Sequence, residues 1–453
     1  MLPARKTVDF TQGNIIGSMV VFSVPIIMGE LLQNLYNSVD ALVVGNFVGE
    51  VALAAVTISG MVSNMLIMFF VGMSVGTNVT ISKAFGRGVA EETRSKVRIA
   101  YTFSLLLGVV LSLLGIVFTP QLLRLAGTQA EFFAEAQTYL RIYLAGLMFT
   151  VIYNNAAGIL RALGDSGTPF YILVLACCVN IALDVILTGW LGLGVTGVAL
   201  ATVGSQGLST VLAYRAIARS QHTGCVDIGE LFRRGGETVR DILSVGMAAG
   251  VQSALIGLSN IFVARYMNLF STAAVAGIGV AQRIDRFVIL PAKSFGITMT
   301  TFVSQNLGAR RFERVRDGLH RCMLLALAVT VSFSVVVYLF AVQVVALFNR
   351  EPEVVFVGVE MVHIYAFSFW IMAWREVLVG YLRGHGRSFV PMVLNIVGMI
   401  VLRQIYLAAT LLRAATPNIY HIYYAYPLTW AATLLMLIAY YLLVKNKLRE
   451  PES

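Results

Sequence analysis

Charged side chains are scarce in this sequence. Asp, Glu, Lys and Arg make up only 12% of its 453 residues, whereas apolar residues make up 58%. Soluble globular chains carry about a quarter charged residues, so this composition excludes a soluble protein and indicates an integral membrane protein. The lipid bilayer is therefore its first expected partner.

Cysteine and catalytic motifs are scarce as well. The chain has 4 cysteines and no C-x-x-C pair, so we expect reduced packing residues and neither a disulfide framework nor a cysteine metal site. It also lacks H-E-x-x-H and phosphate-loop motifs. These absences disfavour a membrane-embedded enzyme and an ATP-driven pump, and we expect no cofactor and no nucleotide.

Apolar segments long enough to cross a bilayer recur from end to end. Twelve spans are predicted: Ile15–Val44, Val51–Ile81, Ile99–Phe118, Phe133–Leu160, Phe170–Trp190, Val195–Ala218, Ile242–Arg265, Thr272–Val303, Cys322–Phe348, Val354–Leu382, Val390–Leu412 and His421–Val444. The fold class is therefore an all-α polytopic membrane protein. The longest polar connection divides it into an N-lobe (1–218), a linker (219–240) and a C-lobe (241–453).

Basic residues are concentrated in alternate connections between these spans. Examples are Arg94 and Lys96 after span two, Arg310 and Arg311 after span eight, and Lys445 after span twelve. Such alternation marks the cytoplasmic side, so we expect the linker and both termini in the cytoplasm. The net charge of +10 is then a topology signal, and no nucleic-acid partner is expected.

The sequence also repeats itself at a shift of about 222 residues. Leu160–Pro169 and Leu382–Pro391 share the pattern L-R-x-x-G-x-S-x-x-P, and Ile81–Gly86 aligns with Val303–Gly308. Six spans per half leave both halves in the same orientation in the membrane. Parallel repeats of this kind are typical of transporters, and they predict two pseudo-symmetric six-helix lobes.

The segment Pro25–Val44 combines spanning length with an unusual polar face. Glu30, Gln33, Asn37 and Asp40 fall within about 80° of one another around a helix. Acids at bilayer depth are costly and usually functional, so this face should line a partner or a watery cavity. The alternative is that Asp40 is a structural hydrogen-bonding group that holds two helices together.

Together these features resemble the multidrug and toxic compound extrusion (MATE) family. The resemblance rests on the two six-helix halves, on Arg161–Pro169, and on the pattern L-G-x-x-G-x-A-x-A-T that begins at Leu193. Asp40 with Asn180 and Asp184 resembles the DinF-like prokaryotic branch. The family implies a V-shaped protein of the bacterial inner membrane. It implies export of organic cations and other xenobiotics by alternating access, in exchange for inward H⁺ or Na⁺.

Four oxygen-bearing side chains match the cation site that this branch implies in its N-lobe: Asp40, Asn180, Asp184 and Thr202. Asn180 and Asp184 are one helical turn apart in span five. Such oxygen-rich sets suit hard cations such as Na⁺. Two carboxylates close together in a low dielectric cannot easily both be charged, so the set could instead hold a proton. Both ions stay open, and no other metal is predicted.

The repeat supplies an independent argument for this site. The C-half counterparts of Asp40, Asn180 and Asp184 are Ile261, Leu402 and Tyr406. Scaffold needs should be similar in both lobes, so acids in one lobe only indicate function. Another branch of the family implies carboxylates in spans seven and ten. Val251–Asn260 and His363–Trp374 contain none, which argues against a second site there.

A substrate cavity for small-molecule drugs is predicted from other polar and soft side chains. The candidates are Glu30, Gln33, Tyr36, Asn37, Met61, Met65, Tyr139, Asn154, Asn155 and Arg283. Flexible methionine surfaces suit promiscuous binding, although the two asparagines could equally form interhelical hydrogen bonds. Pro25 removes a helical hydrogen bond, so it is predicted to be either a hinge in span one or simply a residue that shapes it.

A lipid-linked precursor flippase of the same superfamily is the alternative transport function. It would need a more cationic cavity, because its cargo carries a pyrophosphate, and the N-half spans carry acids and few bases. A channel is a third reading, disfavoured by the two-lobed repeat. A monomer is enough for the architecture.

Overall fold

The computed structural model describes residues 7–47, 49–220, 226–412 and 417–448, without the side chains of residues 35–47, 50–53, 258, 260 and 261. These residues form fifteen α-helices and no strand. The helices are α1 (Ile15–Phe47), α2 (Glu50–Gly86), α3 (Ala90–Leu125), α4 (Phe133–Ala145), α5 (Leu147–Ala162), α6 (Gly167–Asp184), α7 (Gly194–Arg219), α8 (Ile228–Met267), α9 (Thr272–Gly308), α10 (Phe312–Leu339), α11 (Ala341–Ala346), α12 (Pro352–Gly384), α13 (Phe389–Ile396), α14 (Leu402–Leu411) and α15 (Tyr420–Val444). Two π-helical segments, Val185–Trp190 and Val397–Val401, follow α6 and α13.

The described residues contain 11 helical segments long and apolar enough to cross a membrane, or 12 if a bent pair counts as one. The bent pair is α4 and α5, which meet at an angle of 45°. Gly146 sits at the bend, where an added Cβ would lie 2.5 Å from the Cγ2 of Val203. The predicted all-α, twelve-span fold is confirmed, and the bend is a feature that continuous apolar sequence did not predict.

The chain divides into two compact units. Among the described residues, the N-unit contains 7–9 and those between 24 and 250, and the C-unit contains 10–23 and those between 251 and 448. One division falls inside α8, whereas the sequence placed a linker over 219–240. α8 starts at Ile228 and runs unbroken to Met267, so the charged second half of the expected linker is helical.

Close packing between α2 and α8 explains why the first part of α8 belongs to the N-unit. Both helices carry a G-x-x-x-G pair, Gly72 with Gly76 and Gly246 with Gly250. An added Cβ at Gly76 would lie 2.0 Å from the carbonyl oxygen of Ile242. Small residues at this spacing let two helix backbones approach directly in an apolar environment.

The repeated L-R-x-x-G-x-S-x-x-P pattern builds the same turn in both units. Gly164 and Gly386 have φ values of +84° and +82°, a conformation that favours glycine. In each turn the amide after the glycine donates to the carbonyl four residues before the glycine, over 2.9 Å and 3.0 Å respectively. This is the C-terminal cap of α5 and α12. Ser166 and Ser388 then precede α6 and α13.

The segment before α1 is anchored within the C-unit. Phe10 is 0% exposed, and its ring packs edge-on against Phe302 with centroids 5.5 Å apart. Its backbone nitrogen donates to Gln305 Oε1 over 3.0 Å, and its carbonyl accepts from Asn306 Nδ2 over 3.1 Å and Arg314 Nε over 2.9 Å. The two other divisions between the units fall between Asp9 and Phe10 and, within α1, between Ser23 and Val24.

Candidate cation and substrate site

Three of the four predicted cation ligands lie on two adjacent helices of the N-unit. Asn180 and Asp184 are on the last two turns of α6, and Thr202 is on α7, which packs against α6. Asn180 and Asp184 are each 1% exposed and Thr202 is 7% exposed. The structure therefore buries an amide, a carboxylate and a hydroxyl on neighbouring helices within one unit.

The amide of Asn180 is the most informative of these groups. Neither Oδ1 nor Nδ2 forms a hydrogen bond with any residue that the structure describes. Buried amides are almost always satisfied, so such a group calls for a partner such as water or an ion. Thr202, in contrast, donates to the carbonyl of Val198 in its own helix over 3.1 Å, and its hydroxyl oxygen keeps a lone pair for another ligand.

The helix changes its pitch directly after Asp184. Val185–Trp190 is π-helical, and Thr188 within it is buried. Gly197 on α7 lies against this segment, where an added Cβ would meet the Thr188 Oγ1 at 2.8 Å. Single π-helical turns inside α-helices often occur at functional sites, because they leave backbone carbonyls outside the regular ladder. This π-helical segment begins at the residue directly after Asp184.

The fourth predicted ligand, Asp40, lies outside the described side chains, as do the cavity candidates Tyr36 and Asn37. Their backbone belongs to α1. Earlier in the same helix, Gly29 faces α6: an added Cβ would lie 3.8 Å from the Cδ2 of Leu173. The structure therefore places this part of α1 beside the helix that carries Asn180 and Asp184.

Glu30 and Gln33 are half-buried on α1. Glu30 lies within electrostatic range of Arg161, the basic residue at the end of α5. Arg161 also approaches Ser74 Oγ at 3.5 Å, and its Nε has no hydrogen bond among the described residues. The acid on this face of α1 is therefore near a base to which sequence reasoning assigned no place in the cavity.

The remaining cavity candidates differ in burial and in hydrogen bonding. Met61 and Met65 are exposed on α2, whereas Tyr139 is buried in the apolar core of the N-unit. Asn154 donates to the carbonyl of Thr150 in its own helix over 2.9 Å. The Oδ1 of Asn155 is buried without a hydrogen bond to a described residue. Among these candidates, Asn155 therefore has a buried acceptor, its Oδ1, that a bound molecule could use.

Arg283 is exposed on α9 of the C-unit, whereas two other bases of this unit are buried. Arg375 and Arg403 are both 2% exposed. Arg375 forms an ion pair with Glu376 and a hydrogen bond to Asn395 Oδ1. Arg403 lies over the ring of Tyr426, 4.2 Å from its centroid. Sequence reasoning missed these buried bases.

The sequence does carry a signal for the buried bases of the C-unit. Arg375, Glu376 and Arg403 are charged residues within otherwise apolar spans. Asp285 on α9 lies within electrostatic range of Arg403 and Lys293, but no carboxylate of a described residue is within 4.0 Å of Arg403. The C-unit therefore buries cationic groups, whereas the N-unit buries an acid and amides.

Comparison with known proteins agrees with this architecture. The sequence model of the MatE family matches residues 25–186 and again residues 248–408. The chain belongs to the MATE family of transporters. As a MATE-family protein it is a transporter and not an enzyme. The two separate matches also agree with the internal repeat.

Relatives of this MATE protein span nearly the whole chain. It is 29% identical over 436 residues to the probable multidrug resistance protein YoeA of Bacillus subtilis, covering 95% of this chain and 94% of that protein. It is 28% identical to the probable multidrug resistance protein YpnP of the same organism, covering 88% of this chain and 89% of that protein.

A solved structure of a multidrug resistance MATE family transporter, in an outward-facing conformation, has the same fold. It superposes with a TM-score of 0.90 at 23% identity and covers 99% of both chains. At this identity the likeness concerns the fold.

Proposed function

We propose that this MATE-family protein exports organic cations and other xenobiotics across the bacterial inner membrane by alternating access, in exchange for inward H⁺ or Na⁺. Asp40, Asn180, Asp184 and Thr202 hold the coupling ion. Both termini face the cytoplasm in this proposal, in line with the alternation of basic residues along the chain.

The observation that carries the proposal is the buried amide of Asn180 one turn from the Asp184 carboxylate. Both side chains are 1% exposed, and the Asn180 amide has no hydrogen bond with the described residues. An ion or a hydrated proton in this place would satisfy the amide oxygen and neutralise a carboxylate that is costly to keep charged in the membrane.

The relatives support the direction and the cargo of transport. YoeA and YpnP are both named probable multidrug resistance proteins. Resistance requires that toxic compounds leave the cell. The exposed, flexible Met61 and Met65 suit contact with chemically varied drugs, because unbranched side chains repack easily.

Purified protein in liposomes tests the proposal. A pH gradient and a Na⁺ gradient are imposed separately, and ethidium movement is followed by fluorescence. We expect one gradient to drive transport in wild type and not in Asp184→Asn, which removes the charge and keeps the shape. Asp241→Asn is the matched control, because Asp241 is exposed on α8.

Two results would overturn the proposal. One is ethidium transport by wild type that neither gradient drives. The other is gradient-driven transport by Asp184→Asn at the wild-type rate and equal reconstitution. A choice of one gradient by wild type would identify the coupling ion.

One observation favours a second candidate, the export of a lipid-linked anionic precursor. Arg403 is a buried guanidinium with no carboxylate of a described residue within 4.0 Å. A phosphate group could fill its donors, since guanidinium binds phosphate in a bidentate manner. A fluorescent lipid-linked pyrophosphate in the same liposomes separates the candidates: its translocation, blocked by Arg403→Met, with no movement of ethidium would favour the flippase.

A further inference from the structure

A cavity of about 450 Å³ opens in the C-unit, away from the cation site. Its walls come from the end of α9, the start of α10 and the ends of α12 and α15. Four charged side chains line it, Glu313, Arg316, Asp317 and Lys445, together with the rings of Tyr381 and Tyr441. Its volume falls within the range of small-ligand sites, which is about 300–1,000 Å³.

The four charged side chains of the cavity sum to zero net charge, and they form no ion pairs with one another. Glu313, Arg316 and Asp317 are three and four residues apart on α10, so they share one helical face. No ion pair within 4.0 Å joins Glu313, Arg316, Asp317 or Lys445 to one another or to any other described residue. With respect to the part of the chain that the structure describes, the cavity therefore presents two carboxylates and two cations that are not ion-paired.

In the N-unit, a side chain occupies the region that corresponds to this cavity. At the repeat shift, Glu313, Arg316 and Asp317 correspond to Glu91, Arg94 and Ser95 at the start of α3. There Ser95 Oγ donates to Glu230 Oε1 over 2.6 Å, and the other oxygen of Glu230 is 3.0 Å from Arg98 Nη1. Glu230 comes from the first turn of α8.

No described side chain plays the part of Glu230 in the C-unit. The carboxylate of Asp317 accepts no hydrogen bond from any residue in the described part of the chain, although it stands at the position of Ser95. Where the N-unit has the single carboxylate of Glu230, the described residues of the C-unit line the cavity with both positive and negative side chains. Its natural occupant should carry both signs as well.

The position of the cavity narrows the ligand class. It lies at the ends of spans where basic residues such as Arg310 and Arg311 are concentrated, which is the depth of phospholipid head groups. Tyr381 and Tyr441 meet edge-on with ring centroids 5.7 Å apart, and Leu307 and Leu448 add apolar wall. Aromatic rings at the membrane–water boundary suit the glycerol region of a lipid.

We propose that this cavity binds the phosphoethanolamine head group of a phosphatidylethanolamine molecule. Arg316 and Lys445 contact the phosphate, and Glu313 and Asp317 accept hydrogen bonds from the primary ammonium group. An anionic phosphatidylglycerol would bring its charge next to two carboxylates with no ammonium group to offset them. A free phosphoethanolamine would share the head-group chemistry but would leave the apolar wall uncovered.

Delipidated protein in detergent tests this assignment. Binding of short-chain phosphatidylethanolamine, phosphatidylglycerol and phosphatidylcholine, and of water-soluble O-phosphoethanolamine, is measured by native mass spectrometry. We expect phosphatidylethanolamine to bind about three-fold to five-fold more tightly than phosphatidylglycerol, which is the upper part of what one repelled charge at a partly exposed site contributes. Phosphatidylcholine should bind less tightly as well, since its quaternary ammonium donates no hydrogen bond.

Substitutions at exposed positions locate the effect. Asp317→Ser, which copies Ser95 of the N-unit, should reduce the preference for phosphatidylethanolamine to less than about two-fold. Glu313→Gln is a second variant with the same expectation, and Asp241→Asn on the N-unit is the matched control with an unchanged preference. Size-exclusion chromatography establishes that each variant is folded.

Three outcomes would overturn the proposal. The first is equal binding of phosphatidylethanolamine and phosphatidylglycerol. The second is an undiminished preference in both Asp317→Ser and Glu313→Gln. The third is O-phosphoethanolamine binding as tightly as the lipid, which would assign the cavity to a soluble ligand. None of these outcomes bears on ion-driven ethidium transport, so this proposal fails or holds separately from the proposed function.

Discussion

The two halves of this protein share a scaffold and differ in their buried polar groups. The turn at Gly164 recurs at Gly386 with nearly the same φ and the same capping hydrogen bond. Yet Asp184 of the N-unit corresponds to Tyr406, and the Tyr153–Asn154 pair corresponds to Arg375–Glu376. Because folding needs are similar in both halves, we propose that these differing groups serve the function of each half.

Helix packing shows the same mixture of likeness and difference. Gly158 on α5 faces the carbonyl of Ser74, and Gly380 on α12 faces the carbonyl of Gly296 at the repeat-related position. Gly72 and Gly76, however, correspond to Ser294 and Thr298, whose hydroxyls bond within their own helix over 3.0 Å and 2.8 Å. The glycine pair on this face of α2 is therefore special to the N-unit.

The largest expected difference between the halves concerns transport. Asp184→Asn should lower the rate of ion-driven ethidium transport at least about ten-fold, because it removes a buried charge that we assign to ion binding. Tyr406→Phe, at the repeat-related position, should stay within about two-fold of wild type. Liposome assays at matched protein content measure both rates. Equal losses in the two variants would break the comparison.

Buried bases give the next largest effect, on stability. Arg375→Met should lower the free energy of unfolding by about 3 kcal/mol, because Glu376 loses its partner in a buried place. Arg403→Met should cost less than about 1 kcal/mol, since Arg403 has no carboxylate of a described residue within 4.0 Å. Thermal unfolding in detergent compares them. A greater loss for Arg403→Met would show that its contact with Tyr426 matters more than ion pairing.

The glycine contact special to the N-unit predicts a slightly smaller effect. Gly76→Ala should destabilise the protein by about 2 kcal/mol, because its Cβ would lie 2.0 Å from the carbonyl oxygen of Ile242. Gly60→Ala on the same helix has nothing within 4 Å, and it should be neutral or slightly stabilising. Unfolding temperatures of the two variants test this, and equal temperatures would contradict the close α2–α8 approach.

The smallest expected effect comes from Pro25, which lies inside α1 next to the division between the units. Pro25→Ala restores a helical hydrogen bond, so it should stiffen α1 and slow ethidium transport by about two-fold to five-fold without loss of expression. Unchanged transport would mean that Pro25 only shapes the helix.

The sequence predicted the spans and the internal repeat, because both can be recognised from the order of the residues alone; the turn that the repeated segment forms can be explained in the same local terms. Apolar length predicts a membrane helix, and a glycine followed by serine and proline predicts a cap and a new helix. The helical start of α8, within the expected linker, was not predicted. Glu230, Arg233 and Arg234 are good helix formers, but their charge indicated a polar connection, whereas α8 already includes them.

Features that depend on contacts between distant residues could not be predicted. The bend at Gly146 depends on Val203, and the approach of α7 to the π-helical turn depends on Gly197 and Thr188. The burial of Phe10 depends on Gln305 and Asn306, which are almost 300 residues away. Within the candidate site, the resemblance to the MATE family implied Asn180, Asp184 and Thr202, and their chemistry suits a cation. Nothing in the sequence indicated that Glu30 lies within electrostatic range of Arg161.

The central claim is that acidic and amide groups of the N-unit hold the coupling ion. The most direct measurement loads liposomes with ethidium and follows H⁺ and Na⁺ uptake while ethidium moves down its gradient. We predict uptake of one ion by wild type, and its loss in both Asp40→Asn and Asp184→Asn. Ethidium-driven ion uptake at the wild-type rate in both variants would contradict the account.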